Sequence, residues 1–341
     1  MRTELRAELF QSYSGLDDGQ LTALCDAVRA SKHIFIQGKG RMGMILKTFA
    51  IGLAPLVQVH VIGEASVPPI GPGDLLIVTP TGGDPKSSTR FLTVARESGA
   101  RVAAFTANRA GPVGTMADLF IEAHARTMLP GDRTQSVQPM CSTLEQTGLL
   151  AFDTVVRMLR EPDVALPALR ASLMQTLQAA FLQVPDAELA RLCTCVDTSR
   201  RIFFAARGAQ LQLLSCYAMR LFHMGHEVHI AGDLITPPIG PGDLLIVSGS
   251  CADGPWPAFW TQEAARRGAH TLCFAPSSDV PELAAARVIR LSDGPSDWSA
   301  WKRAQLYGQC LLLTLDLAVT LQMRRAGLTE ADMICRHTNL E

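Results

Sequence analysis

Short apolar runs bounded by turn residues recur along the whole chain, and apolar positions at helical spacing lie between them. Runs of this length are typical of strands that are buried on both faces of a sheet. They predict five strands in each half of the chain, at 33–37, 57–62, 75–78, 101–106 and 119–122, and at 201–206, 228–230, 244–247, 271–274 and 288–291. Because strands alternate with helices, the pattern predicts a doubly wound parallel sheet in each half.

An eleven-residue string, PPIGPGDLLIV, occurs twice, at 68–78 and at 237–247. The repeat period is therefore half of the 341-residue chain, and the sequence is a tandem duplication of one domain-sized unit. The pattern predicts a first domain at 1–160, a linker with two prolines at 161–167 and a second domain at 168–341.

The composition narrows the class of protein. Apolar residues make up 48% of the chain, charged residues 18%, and the net charge of -1 argues against nucleic-acid binding. The amino terminus lacks the apolar core of a signal peptide, and the longest apolar stretch, 310–321, is too short to span a bilayer. We therefore expect a cytoplasmic protein with no membrane partner.

The nine cysteines lie mostly in apolar runs, which predicts small buried side chains rather than a zinc or disulfide framework.

A first candidate site follows the first copy of the string. In an open parallel sheet, the residues after the carboxyl end of a strand line the ligand crevice. Here the chain reads TPTGGDPKSS from Thr79, so hydroxyls and glycines meet the start of a helix, an arrangement that suits a phosphate. An ordinary capped turn is the structural alternative. The candidate ligands are Thr79, Thr81, Gly82, Gly83 and Ser87.

A second candidate is the sequence GKGRMG at 38–43, which follows a strand, opens a helix and matches the GxGxxG pattern of dinucleotide sites. Glu64, after the next strand, would take the place of the ribose-binding acid. The second half reads ARGAQL at 206–211, so the pattern is lost where the scaffold is kept. The alternative is that these glycines only let the strand turn tightly into a helix. On that reading, the protein uses no cofactor.

Several of these features together resemble the sugar isomerase (SIS) domain family, and specifically its 6-phospho-3-hexuloisomerases. The resemblance is carried by Gly-Lys-Gly-Arg at 38–41, Gly-Glu at 63–64, the repeated string, Gln-Pro-Met at 138–140 and Glu145. The segments 218–225 and 328–341 match the same family. The resemblance implies two tandem SIS domains, each a five-stranded doubly wound sheet flanked by helices, as in flavodoxin-like or Rossmann-like three-layer sandwiches. The chain would form a pseudo-dimer, with further homodimerisation left open.

The family reaction moves a carbonyl between C3 and C2 of a hexulose 6-phosphate and yields fructose 6-phosphate through an enediol, without metal or redox cofactor. By resemblance, Glu145 takes the position of the catalytic base, and His337 that of a histidine assisting proton movement. The sugar phosphate would bind at the threonine-rich turn, with Gly40 and Arg41 beside it. The structural alternative for Glu145 is a surface carboxylate near a helix amino terminus.

The chain departs from the family pattern at several positions. Threonines replace the usual serines of the phosphate turn, Asp84 adds a negative charge there, and Met42 stands where serine is common. The second half keeps Ser248 and Ser250 but has Gly308 at the spacing of Glu145, which predicts a vestigial second site. Since only the second half carries the histidine tail, we expect one composite site per chain, with the phosphate turn and Glu145 from the first half and His337 from the second half or from a partner chain. The alternative function is a non-catalytic protein that binds or senses a sugar phosphate.

Overall fold

The computed structural model describes residues 1–80, 85–129, 131–132, 134–279, 283 and 286–338, without the side chains of 85–87 and 251. The chain divides into two compact units, the first being Met1–Met174 and the second comprising the described residues from Gln175 onward. The helix α7 (Leu166–Leu182) runs across this division. The domain bounds expected at 160 and 168 stay predictions.

The first unit contains a five-stranded parallel sheet in the order β2-β1-β3-β4-β5. Its strands are β1 (His33–Gly38), β2 (Gln58–Val61), β3 (Leu75–Thr79), β4 (Arg101–Thr106) and β5 (Leu119–Glu122). Its helices are α1 (Arg2–Ser14), α2 (Asp18–Ala30), α3 (Gly40–Leu53), α4 (Pro85–Glu97), α5 (Pro112–Met116) and α6 (Ser142–Arg160). The strand order reverses between β1 and β3, and ligands of doubly wound sheets bind at that switch point.

The second unit repeats this sheet, with the parallel order β7-β6-β8-β9-β10. Its strands are β6 (Ile202–Ala205), β7 (Val228–Ile230), β8 (Leu244–Ser248), β9 (His270–Pro276) and β10 (Arg287–Leu291). Its helices are α8 (Asp186–Thr198), α9 (Gly208–Met224), α10 (Trp256–Arg266), α11 (Ala300–Ala326) and α12 (Glu330–Ile334). The predicted fold, two tandem five-stranded parallel sheets flanked by helices, is confirmed.

The repeated string builds the same turn in both units. The Asp74 carboxylate accepts the backbone N–H of Gly71 at 2.8 Å, and that of Asp243 accepts Gly240 at 2.9 Å. The glycine before each aspartate has a left-handed φ, of 89° at Gly73 and 81° in the second copy, which favours glycine there. The string is therefore repeated for a structural reason: it turns the chain into the central strand of each sheet.

The fully buried carboxylate of Asp243 has hydrogen-bond donors in addition to Gly240. Arg201 Nη2 lies 2.7 Å and Arg200 Nη2 3.1 Å from its oxygens. Burial alone would raise the pKa of Asp243, but the donors from Arg201, Gly240 and Arg200 hold that pKa below its usual value. A carboxyl whose pKa is lower in the folded state stabilises the protein above its unfolded pKa of about 3.9, and this stability is lost as the pH falls further.

We expect Asp243→Asn to lower the free energy of unfolding of the second unit by about 2 kcal/mol at pH 7, and by less at pH 3. Urea unfolding followed by tryptophan fluorescence measures this, since all the tryptophans, Trp256, Trp260, Trp298 and Trp301, lie in that unit. Asp74→Asn is the matched control, because in the described part of the chain the Asp74 carboxylate accepts the backbone N–H of Gly71 and makes no ion pair with an arginine side chain. A pH-independent loss would contradict the ionic explanation.

Among the described residues, α11 is the one helix long and apolar enough to cross a membrane. However, 83% of its most apolar window is buried inside the protein. The helix packs against α8, α9 and β10 of its own unit. This burial is what a core helix of a globular domain requires.

Candidate active site

Arg41 and Glu145 meet at the switch point of the first sheet. Arg41 lies in the first turn of α3, directly after β1, and Glu145 in the first turn of α6. Arg41 Nε is 2.9 Å from Glu145 Oε2, and the two side chains are 1% and 6% exposed. The surface-carboxylate interpretation of Glu145 is wrong, because the packing of α6 on α3 removes this carboxylate from solvent.

The glycines at 38–43 allow the start of α3 to pack closely on the ends of β1 and β3. A Cβ on Gly43 would lie 2.5 Å from the backbone oxygen of Gly38, and one on Gly38 would lie 2.5 Å from Thr79 Oγ1. Gly40 has a left-handed φ of 55° at the start of α3. Each glycine therefore has a structural role in the tight turn from β1 into α3, which supports the alternative to a dinucleotide site.

Two buried polar atoms lie at the carboxyl ends of neighbouring strands in this crevice. Thr79 Oγ1, at the end of β3, and Gln37 Oε1, near the end of β1, have no hydrogen-bond partner among the residues the structure describes. Their residues are 2% and 7% exposed. Because an unsatisfied buried polar atom is costly, such atoms in a crevice are typical of a site that is completed by a ligand.

The rest of the predicted phosphate turn falls outside what is described. Thr81, Gly82 and Gly83 belong to the segment 81–84, which lies outside the described residues, as does Asp84. The backbone of Ser87 lies in the first turn of α4, but its side chain is outside the description. Their roles in binding phosphate stay predictions.

The loop before α6 is held in an unusual conformation next to Glu145. Met140 has a φ of 57°, the one positive φ of a non-glycine residue in the described part of the chain. Strained backbone of this kind clusters at functional sites. The buried amides of Gln138 and Gln146 hold the loop on the helix, since Gln138 Nε2 donates to Gln146 Oε1 at 3.1 Å and Gln146 Nε2 donates to Gln138 Oε1 at 2.7 Å.

Glu8 on α1 anchors the same loop from its other side. Its carboxylate accepts the N–H of Val137 at 2.7 Å and the hydroxyl of Ser136 at 2.7 Å. Sequence reasoning missed this residue, because a glutamate on an amphipathic helix looks the same whether it faces solvent or receives a loop. Together, α1 and the two glutamines determine where α6 begins and hence where Glu145 lies.

In the second unit, Ser248 and Ser250 form hydrogen bonds with side chains of the same unit. Ser248, the counterpart of Thr79, shares a hydrogen bond of 2.7 Å with the hydroxyl of Tyr307, and burial raises the pKa of this tyrosine well above its usual value. The N–H and hydroxyl of Ser250 both donate to the Asp253 carboxylate, at 2.7 and 3.0 Å. The Asp253 carboxylate thus binds two hydrogen-bond donors that a phosphate would need. These contacts support the vestigial second site, which stays a prediction.

His337 follows α12 in the second unit. Its ring is stacked on that of His223 from α9, with 5.0 Å between the ring centroids, and its Nδ1 lies 3.1 Å from the backbone oxygen of Thr338. These contacts lie within the second unit, and the composite site with Glu145 stays a prediction.

Most of the described cysteines are buried, in agreement with their apolar sequence context: Cys25, Cys141, Cys193, Cys216, Cys273 and Cys310. Burial raises the pKa of Cys273 and of Cys310 to about 12, so both remain thiols at neutral pH. In the described part of the chain, no three or more His, Cys, Asp or Glu side chains form a group that could hold a metal ion.

Comparison with curated proteins places the similarity in one family, although no protein-family model matches the chain. A 3-hexulose-6-phosphate isomerase from Bacillus subtilis (strain 168) is 34% identical over 163 residues, which are 46% of this chain and 86% of that protein. A protein of the same name from Methylomonas aminofaciens is 26% identical over 157 residues, which are 44% of this chain and 86% of that protein. Each relative therefore corresponds to about half of this chain.

Solved structures match the chain over nearly its whole length. Tagatose-6-phosphate ketose/aldose isomerase from Escherichia coli superposes with a TM-score of 0.66 at 14% identity, covering 100% of this chain and 95% of that one. The C-terminal domain of glucosamine-fructose-6-phosphate aminotransferase from Francisella tularensis gives a TM-score of 0.67 at 13% identity, covering 94% and 93%. At such identities the likeness shows the fold alone.

Proposed function

We propose, on the premise that this chain belongs to the 3-hexulose-6-phosphate isomerase family of SIS-domain proteins, that it interconverts 3-hexulose 6-phosphate and fructose 6-phosphate. Isomerisation of a phosphosugar is the class of activity that the names of these relatives describe. The observation that carries the proposal is the buried Arg41–Glu145 pair at the switch point of the first sheet.

The proposed reaction needs a base at C2 of the ketose. The Glu145 carboxylate takes the C2 proton, the carbonyl at C3 becomes part of a 2,3-enediol, and the proton returns at C3 while the carbonyl forms at C2. His337, of this chain or of a partner chain, is assigned the transfer of the hydroxyl proton between O2 and O3. Proton and electron changes balance within the sugar, so the proposal includes no metal and no redox cofactor.

Burial supports this role for Glu145. Glu145 is 5% exposed, so its carboxylate is screened from water, and its ion pair with Arg41 holds this carboxylate in place at the start of α6. Thr79, whose hydroxyl has no partner among the described residues, is assigned to the phosphate together with the turn that follows it. The start of α4 lies directly after that turn and adds the favourable end of a helix dipole.

The first test is an NMR time course of the purified protein with fructose 6-phosphate in deuterated water. We expect deuterium to enter at the carbons next to the carbonyl, because the enediol exchanges its carbon-bound proton with solvent through the base. Exchange requires neither a coupled assay nor the 3-hexulose. No exchange, with fructose 6-phosphate shown to bind by calorimetry, would overturn the proposal.

That negative outcome would favour a sugar-phosphate-binding or sensing protein. This second candidate rests on the observation that two serines of the second unit are bound by its own side chains, Ser248 by Tyr307 and Ser250 by Asp253. It predicts saturable binding without turnover. Under either function, the cytoplasmic location and the absence of nucleic-acid and membrane partners stay proposals.

A further inference from the structure

We propose that Gln37 is a specificity-determining residue, whose side-chain amide binds a hydroxyl of the sugar near its phosphate end. The inference rests on the proposed function for the class of ligand, a sugar phosphate, but not for its turnover. Gln37 directly precedes the Gly-Lys-Gly-Arg segment that carries the family resemblance and is not part of it. The observation that carries the inference is its buried amide oxygen, which has no partner among the described residues.

Gln37 ends an otherwise apolar row on one face of the first sheet. Side chains alternate between the two faces of a strand, so Gln37 points to the same face as Phe35. Its register partner on β3 is Val78, and Phe35 and Val78 belong to one buried apolar cluster. The side chain of Gln37 is nevertheless polar and only 7% exposed. An amide buried in such surroundings destabilises the folded protein unless a further group pairs with it.

The duplication shows that the scaffold does not require this amide. The register partner of Val247, the last residue of the second copy of the repeated string, is Ala205 on β6. Ala205 and Val247 also lie together in a buried apolar cluster, so Ala205 is the counterpart of Gln37. The second sheet keeps its strand order with a methyl group at this position. A costly glutamine in the first unit alone therefore indicates a role in binding.

The chemistry of the amide indicates the class of group that it binds. An amide oxygen only accepts hydrogen bonds and an amide nitrogen only donates them, whereas a hydroxyl does both. An ionised phosphate oxygen only accepts, so it would leave Gln37 Oε1 unpaired. A hydroxyl satisfies the amide in either of the two orientations that a half-turn of its terminal group allows. A sugar hydroxyl is therefore the matching partner.

The face of the sheet indicates which part of the sugar lies beside Gln37. The apolar cluster on this face includes Leu92 of α4, the helix that begins after the proposed phosphate turn. The opposite face is covered by α3, since a Cβ on Gly38 would lie 3.0 Å from Leu46 of that helix. Glu145 lies on α6, which packs against α3. Gln37 is thus on the side of the phosphate, and its partner is the hydroxyl on C4 or C5 and not a group on the reacting carbons.

The first test is the substitution Gln37→Met, which keeps the length of the side chain and removes the amide. We expect the Kd for fructose 6-phosphate, measured by calorimetry, to rise about tenfold, the effect of one lost hydrogen bond. The Kd for inorganic phosphate, which carries no sugar, should change less than about twofold. In the deuterium-exchange assay, KM should rise while kcat stays unchanged, because the bond is made equally in the ground state and in the transition state.

Gln58→Met is the matched control. It makes the same substitution on β2, the strand that pairs with β1, at an exposed position. Neither Kd should change in this variant.

A second test uses the 4-deoxy and 5-deoxy analogues of fructose 6-phosphate. Loss of the hydroxyl that Gln37 binds should weaken binding to the wild-type protein about tenfold, but binding to Gln37→Met less than about twofold. The comparison of both proteins with each analogue removes any effect of the analogue itself, such as loss of the ring form. It also identifies which of the two hydroxyls is bound.

The stability of the ligand-free protein separates a binding role from a structural one. Because the amide oxygen is unpaired, its replacement by an apolar group should raise the unfolding midpoint of the first unit by about 3 °C, as followed by far-UV circular dichroism. A residue kept for structure would show the opposite sign. Gln37→Met is therefore expected to bind fructose 6-phosphate more weakly and to unfold at a higher temperature.

The following results would overturn the inference. An unchanged Kd for fructose 6-phosphate in Gln37→Met, with a lower midpoint, would leave Gln37 a structural role only. Equal weakening of inorganic phosphate and fructose 6-phosphate would place the amide at the phosphate, and equal effects of both deoxy analogues on the two proteins would remove the hydroxyl contact. A wild-type protein that binds fructose 6-phosphate without exchange overturns the proposed function alone, whereas absence of binding overturns both.

Discussion

Glu145→Gln is expected to lower the rate of deuterium exchange into fructose 6-phosphate about a thousandfold. The amide has almost the same shape as the carboxylate but cannot accept the C2 proton. Because Glu145 is buried against Arg41, the substitution leaves a cation without its carboxylate, and some loss of stability accompanies the loss of activity. The measurement is therefore the exchange rate at saturating substrate, with binding of fructose 6-phosphate determined in parallel.

The matched control for this change is Glu97→Gln, at the exposed end of α4, which should retain the wild-type rate. A Glu145→Gln protein that binds the sugar phosphate and still exchanges at more than about a tenth of the wild-type rate would remove Glu145 from the role of base. In that case, the buried pair would be a structural feature of the first unit, and the proposed mechanism would need another base.

Gly43→Ala is expected to lower the free energy of unfolding of the first unit by about 3 kcal/mol. The added Cβ would lie 2.5 Å from the oxygen and 2.8 Å from the carbonyl carbon of Gly38, and both are backbone atoms that cannot rotate away. The thermal unfolding transition of the whole chain, followed by far-UV circular dichroism, should broaden toward lower temperature. Tryptophan fluorescence should stay unchanged, since all tryptophans are in the second unit.

Gly71→Ala is the matched control, because a Cβ on Gly71 would meet no atom within 4 Å of those described and its φ is not in the left-handed region. We expect it to change the free energy of unfolding by less than about 0.5 kcal/mol. Equal effects of the two substitutions would contradict the steric explanation. They would indicate that the loss of glycine flexibility, and not the contact with Gly38, determines the outcome.

The sequence alone determined the architecture of this protein. Buried strands of a parallel sheet are continuous apolar runs, so all ten were predicted, within a few residues of their observed bounds. Their alternation with helices predicted the parallel pairing, and the repeated string predicted two copies of one unit. These features depend on local periodicity and turn chemistry, which a chain carries in neighbouring residues.

The sequence also indicated Glu145, as a carboxylate early in an otherwise apolar helix, and the resemblance to a family added the roles of Glu145 and Arg41. Neither residue carries a local signal that separates a buried reacting group from a charge on a helix surface. Their meeting depends on the packing of α6 on α3, two helices that are distant in the sequence. For the same reason, Glu8 could not be identified as the anchor of the loop before α6.

Tertiary structure alone decided the chemistry that each crevice offers. The left-handed backbone of Met140, the ion pair of Arg41 with Glu145, and the hydrogen bond of Ser248 with Tyr307 all join segments that are far apart in the chain or oppose local preference. Local sequence preferences do not predict these features, because the free energy that stabilises them comes from burial and from partners that only the folded chain brings within reach. Thr79 Oγ1 of the first unit thus has no partner among the described residues, whereas its counterpart in the second unit, Ser248, is bound to Tyr307.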